Sequence, residues 1–79
     1  MRVVKELSKN GIKISLFSWN NKYLLKFEQG LVEQTFKVNE MDLSGEEDLQ
    51  VFWSDSFLSD LQKRFDEMHQ VLRNQLENL

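Results

Sequence analysis

The stretch NGIKISLFSWNNKYLLKFEQG, residues 10–30, predicts the fold of the chain. It contains two segments of strand length, residues 12–19 and 23–29, in which apolar and polar side chains alternate. Successive side chains of a strand point to opposite faces, so this period of two is typical of a strand with one buried face. Residue pairs that favour tight hairpin turns punctuate the stretch at Asn10-Gly11, Asn20-Asn21 and Gln29-Gly30.

The hairpin turns also predict how the strands pair. A two-residue loop at Asn20-Asn21 aligns the apolar faces of the strands on either side, and a loop at Gln29-Gly30 aligns a third strand with them. A slip by one residue would turn every apolar side chain to the wrong face. The predicted cross-strand neighbours are Leu16 with Leu25, Ile14 with Phe27, Phe27 with Val32, and Tyr23 with Phe36.

An N-terminal strand over residues 3–8, joined through Asn10-Gly11, would make a fourth member of the sheet. This strand would place Lys5 on the apolar face. An inward charge is tolerated on an edge strand, where it also hinders edge-to-edge aggregation. We therefore predict an antiparallel meander of three to four strands.

After Asn39 the pattern changes to that of a helix. Ser44-Gly45-Glu46-Glu47 resembles a capping box and predicts a short helix over residues 45–53. Ser54-Asp55-Ser56 offers further N-caps for a long amphipathic helix. The apolar residues of that helix recur at steps of three and four: Leu58, Leu61, Phe65, Met68 and Leu72.

The sheet and the long helix each have one apolar face that needs a cover, and packing them together buries both. The sequence therefore predicts one α+β domain, residues 1–79, of order ββββαα. The long C-terminal helix covers one face of the meander and the short helix precedes it. The predicted core contains Leu16, Leu25, Phe27, Leu61, Phe65 and Met68.

The composition excludes several classes of protein. The chain has no cysteine, which excludes disulfides and thiolate metal sites, and it has no apolar run long enough for a membrane span. Residues 1–7 lack the pattern of a signal peptide, so we expect a cytoplasmic protein. Residues 1–38 carry seven Lys or Arg and three Glu, a net charge of +4, whereas residues 39–79 carry a net charge of −7. The two halves either attract each other or offer a charged face to a partner.

No motif indicates a specific chemistry. His69 is the single histidine and has no cysteine or second histidine with which to share a metal, so we interpret it as a partly exposed helix residue. The acidic run Glu46-Glu47-Asp48, with Asp42 before it, lacks the alternating spacing of a calcium loop and fits the start of a helix. We expect no enzymatic activity, no catalytic residue, no metal and no cofactor.

One corner of the second sheet face breaks the expected polar pattern. The predicted register gives that face the ion pairs Lys13 with Glu28 and Lys26 with Glu33, but it also places Phe17 opposite Leu24, with Trp19 nearby. An exposed apolar cluster indicates a contact site. Alternatively, Val4, the short helix with Phe52 and Trp53, or the N-terminal segment covers it.

These features lead to two hypotheses of function. The first is a non-catalytic module that binds a protein partner through Phe17, Trp19 and Leu24, or that associates with itself. The second, less favoured, is a domain that binds single-stranded nucleic acid by stacking bases on Phe17 and Trp19. In this hypothesis four lysines of the sheet approach the phosphates: Lys13, Lys22, Lys26 and Lys37. We further predict that the long helix overhangs the sheet and forms a homodimer interface, unless it frays after Arg73 or lies along the diagonal of the sheet. The residues of that predicted interface are Leu72, Leu76 and Leu79.

Overall fold

A computed structural model describes residues 1–79 and confirms the predicted α+β fold. Four strands form one antiparallel sheet in the order β1-β2-β3-β4, and two 3₁₀ helices and one α-helix, α1, follow them. The strands are β1 (Arg2–Lys9), β2 (Ile12–Trp19), β3 (Lys22–Gln29) and β4 (Val32–Asn39). The helices are the first 3₁₀ helix (Glu40–Asp42), the second 3₁₀ helix (Glu46–Trp53) and α1 (Asp55–Leu76).

The first two hairpin turns lie where the sequence predicts them. Asn10 and Gly11 have φ angles of 54° and 77°, and Asn20 and Asn21 have φ angles of 51° and 63°. Two successive residues with positive φ define a type I′ turn, whose twist matches that of the flanking strands. Asparagine tolerates this left-handed conformation, which explains why the pair Asn20-Asn21 needs no glycine.

The third turn corrects the predicted register of β4. The two loop residues are Gly30 and Leu31, not Gln29 and Gly30, because Gly30, with φ of 58°, occupies the first central position of the turn. The predicted pairs of Phe27 with Val32 and of Tyr23 with Phe36 are therefore wrong. A shift by two residues keeps every side chain on its predicted face. The observed neighbours are Phe27 with Gln34, Leu25 with Phe36, and Tyr23 with Val38.

Strand β1 is present, and Lys5 lies on the apolar side of the sheet as predicted. The pairing with β2 shifts between Val3 and Lys5, which leaves Val4 as an extra residue in a β-bulge. The ammonium group of Lys5 lies 5.3 Å from the ring centroid of Trp53 in a cation–π contact. This contact keeps the charge at the rim of the core.

The short helix is a 3₁₀ helix, and the predicted capping box does not form. Gly45 is its N-cap, which has no side chain to accept a hydrogen bond. The backbone N–H of Ser44 donates to Asp48 Oδ2 at 2.7 Å, one residue beyond the predicted partner Glu47. The second predicted cap is confirmed, because Ser54 Oγ accepts a hydrogen bond from the Phe57 N–H at 3.3 Å.

The core lies between one face of the sheet and the helices. It contains all six predicted residues: Met68 is partly buried, and the other five are fully buried. Helix α1 begins beside the first hairpin turn, where Asp55 accepts from Asn10, and reaches the third turn at His69. The ten buried core residues are Ile12, Ile14, Leu16, Tyr23, Leu25, Phe27, Leu49, Leu58, Leu61 and Phe65.

The basic and acidic halves of the chain touch each other. Arg2 pairs with Glu46 at 3.6 Å and Lys9 pairs with Asp55 at 3.3 Å. Both pairs are exposed to solvent, which screens them, so they contribute little to stability. None of the helices combines the length and the apolar composition that crossing a bilayer requires.

Candidate functional site

The face of the sheet that points away from the helices, here called the open face, carries the predicted apolar cluster. Phe17 lies opposite Leu24 as predicted, and Val3, on the far side of the bulge, lies opposite Phe17. Trp19 is 48% exposed and Val3 is 55% exposed, while Phe17 and Leu24 are partly buried. We call these four residues the aromatic patch.

No helix covers the aromatic patch. Phe52 and Trp53, which could have covered it, pack against the core on the opposite face of the sheet, as does Val4. The bulge at Val4 is the reason that Val3 joins the patch, because the extra residue reverses the alternation of side chains along β1. Sequence reasoning missed Val3, since nothing in the alternation of residues 3–8 announces the bulge.

The charges of the open face are unevenly distributed. At the end away from the patch, the Lys26 ammonium lies 3.8 Å from Glu28 and 3.4 Å from Glu33. The sequence predicts that Lys26 lies directly opposite Glu33, and this is wrong. Lys26 lies opposite Thr35 and reaches Glu33 diagonally.

Two lysines beside the patch have no acidic partner. Lys22 lies opposite Trp19 and Lys37 lies opposite Leu24, and neither forms an ion pair within the chain. Lys13 lies opposite Glu28 as predicted, but outside ion-pair distance. The aromatic patch is therefore bordered by uncompensated positive charge.

The last turns of α1 extend beyond the third hairpin turn. The helix continues to Leu76, so it does not fray after Arg73. Leu72 is partly buried, Leu76 is half exposed, and Leu79 lies past the helix end with 98% of its surface exposed. The homodimer through Leu72, Leu76 and Leu79 stays a prediction.

An open apolar groove of about 760 Å³ lies between strand β4 and the C-terminal half of α1. Val32 and Gln34 form the wall on the side of the sheet. Val71, which is 69% exposed, stands on the helical wall. The remaining residues that line the groove are Arg64, Glu67, Met68, Leu72 and Gln75.

Three titratable side chains, His69, Tyr23 and Asp55, have partners within the chain. His69 Nε2 lies 3.2 Å from Gln29 Oε1, and Gln29 exchanges two hydrogen bonds with Gln62, which ties the third turn to the helix. Burial raises the pKa of the Tyr23 phenol, and the nearby Glu46 carboxylate, 3.3 Å from the hydroxyl, raises it further. Hydrogen bonds from Lys9 and Asn10 lower the pKa of Asp55.

No group of three or more potential metal ligands lies together in the structure. No protein-family model, curated protein or solved structure matches this chain. The exposed surfaces described above are therefore the candidate sites of function.

Proposed function

We propose that the chain is a non-catalytic interaction module that binds a protein partner through the aromatic patch. The observation that carries this proposal is the position of Trp19, which is 48% exposed beside Phe17 and Leu24 on a sheet face without a cover. Contiguous exposed apolar side chains on a small domain mark contact sites, and tryptophan is enriched among the residues that dominate binding energy. A partner that buries the indole ring would remove this surface from water.

The charges beside the patch define the chemistry of the partner. Lys22 and Lys37 border the apolar side chains and form no ion pair within the chain, so a segment with acidic residues beside its apolar ones fits this surface best. Such a segment would pack its apolar side chains on Trp19 and Leu24. Its carboxylates would then reach the two lysines.

A single-stranded nucleic acid fits the same surface less well. Stacking on Phe17 and Trp19 is possible, but phosphate binding requires several free cations along a track. Lys26 is engaged by two glutamates, and the chain has a net charge of −3. Three lysines of the open face, Lys13, Lys22 and Lys37, form no ion pair, and only Lys22 and Lys37 lie beside the aromatic patch.

Fluorescence anisotropy with defined probes tests the proposal. The first probe is a short labelled peptide in which Leu, Phe and Leu are flanked by glutamates, the second replaces each glutamate by lysine, and the third is an oligothymidylate. We expect the acidic peptide to bind, and Trp19→Ser or Lys22→Glu to weaken binding at least about tenfold, because changes at residues that dominate binding cost about 2 kcal/mol or more.

Val51→Ser is the matched control, because Val51 is an exposed apolar residue on the second 3₁₀ helix. It should leave binding unchanged. Trp19→Ser should lower the free energy of unfolding by only about 1 kcal/mol or less, since the side chain is half exposed. Equal binding of the two peptides, or binding that Trp19→Ser does not affect, contradicts the proposal. Tight oligothymidylate binding with a steep dependence on salt supports the nucleic-acid alternative.

A further inference from the structure

The two edges of the sheet are built differently. Strand β1 carries the bulge at Val4 and turns Lys5 and Lys9 toward the helices, two features that hinder pairing with another strand. Strand β4 carries neither feature. Its eight residues pair with β3 without a break, and the chain contains no proline. A long and regular edge without a bulge, a proline or an inward-facing charge is a template for pairing with another strand.

The hydrogen bonds of β4 show which backbone groups are free. The third turn joins Gln29 and Val32, so the N–H of Val32 points toward β3. At the other end, the N–H of Glu40 donates to the carbonyl of Asn21 at 3.0 Å. Even-numbered residues therefore point their backbone groups toward β3. The N–H and C=O groups of Glu33, Thr35 and Lys37 point outward.

From this geometry we propose that two copies of the chain pair antiparallel through β4 about a two-fold axis at Thr35, which joins their sheets into one. Thr35 then lies opposite Thr35 of the second copy, and Glu33 lies opposite Lys37 of the second copy. All three residue pairs formed by the outward-pointing groups can exchange both N–H···O bonds. Each Lys37, which has no ion pair within the chain, gains one carboxylate partner, Glu33 of the second copy, which also lies 3.4 Å from Lys26 of its own chain.

The charges select this register over its neighbours. A two-fold axis at Glu33 or at Lys37 would place like charges directly opposite each other, which destabilises a strand pair. An axis at Gln34 or Phe36 preserves the faces but leaves Glu33 without a cation opposite. Only the axis at Thr35 aligns both charged residues with opposite charges.

The same register covers the apolar groove beside β4. On the face that packs against α1, Val38 of the second copy lies opposite Val32, and Phe36 of the second copy lies opposite Gln34. Phe36 is 37% exposed in the single chain, although it lies on the core side of the sheet. Paired in this way, each copy brings these two apolar side chains to the mouth of the other copy's groove, next to Val71.

Charge reversal with rescue tests the pairing. In either Glu33→Lys or Lys37→Glu alone, like charges face each other at two symmetric positions, and we expect the dimer dissociation constant to rise about tenfold or more. An equimolar mixture of the two variants places lysines of one chain opposite glutamates of the other. The mixture should therefore form a heterodimer with an affinity close to that of the wild-type dimer, as measured by light scattering and analytical ultracentrifugation.

Thr35→Pro provides a second test. It removes an outward N–H that has no partner in the single chain, so the variant should fold, with an unchanged circular dichroism spectrum, and be monomeric. Leu76→Lys is the control for pairing through the helix end and should remain a dimer. A wild-type chain that is monomeric at high concentration overturns the proposal. A dimer that survives Thr35→Pro but is lost in Leu76→Lys also overturns it, and supports the helix-end interface.

Discussion

Replacement of Phe65 tests whether α1 covers the sheet. Phe65 is completely buried, midway along the helix, in the same cluster as Leu25 and Phe27 of the sheet. Truncation of a buried phenylalanine to alanine costs about 3 to 5 kcal/mol. A chain of 79 residues has a total stability of about 4 to 12 kcal/mol. We therefore expect Phe65→Ala to be largely unfolded or close to it.

Phe65→Leu extends the measurement into a range where the protein stays folded. This change removes three side-chain carbons, which at about 0.8 kcal/mol each predicts a loss of about 2 kcal/mol. Urea unfolding, followed by circular dichroism, gives the loss as a lower midpoint at constant slope. Lys63→Ala is the control on the same helix, because Lys63 is exposed and forms no ion pair, and it should cost less than about 0.5 kcal/mol. If Phe65→Ala loses less than about 1 kcal/mol, the helix does not pack on the sheet as described.

Two further predictions concern Tyr23 and the glycines of the turns. The raised pKa of Tyr23 means that the folded state holds the phenol proton more tightly than the unfolded state. The neutral phenol therefore contributes fully to stability below pH 10.0, and this contribution is lost as the pH rises through the raised pKa. The thermal midpoint should fall more steeply above that pH in the wild type than in Tyr23→Phe, and parallel curves would contradict this assignment. Gly30→Ala should lower the thermal midpoint more than Gly11→Ala. Both glycines have positive φ, but of the two only Gly30 has a side-chain atom, His69 Cε1, within 3.3 Å of an added Cβ. Equal losses would show that His69 moves aside without cost.

Much of the fold follows from local patterns of sequence. Asn10-Gly11 and Asn20-Asn21 predict their turns because few residues accept positive φ, and the alternation of β2 and β3 then leaves one acceptable register. The third turn is predicted one position too early because Leu31, an apolar residue, occupies a loop position. Its glycine indicates where the turn lies but not which of the two loop positions it fills.

The surfaces were harder to predict than the core. Phe17, Trp19 and Leu24 could be placed together because they belong to a hairpin of known register. Val3 could not, since the bulge that brings it there depends on how β1 meets the rest of the fold. The free backbone groups of β4 also could not be predicted, because a pattern of side chains does not show which backbone groups a neighbouring strand uses.

The bulge in β1 also limits the number of chains that can join one sheet. A sheet with two competent edges adds chains at both sides and can extend into a fibre, whereas a sheet with one competent edge stops when that edge is used. Val4 interrupts one edge and leaves β4 as the other, so association through β4 closes after two chains. Removal of Val4 would restore an unbroken β1, and only the inward-facing Lys5 and Lys9 would then hinder addition of a further chain at that edge.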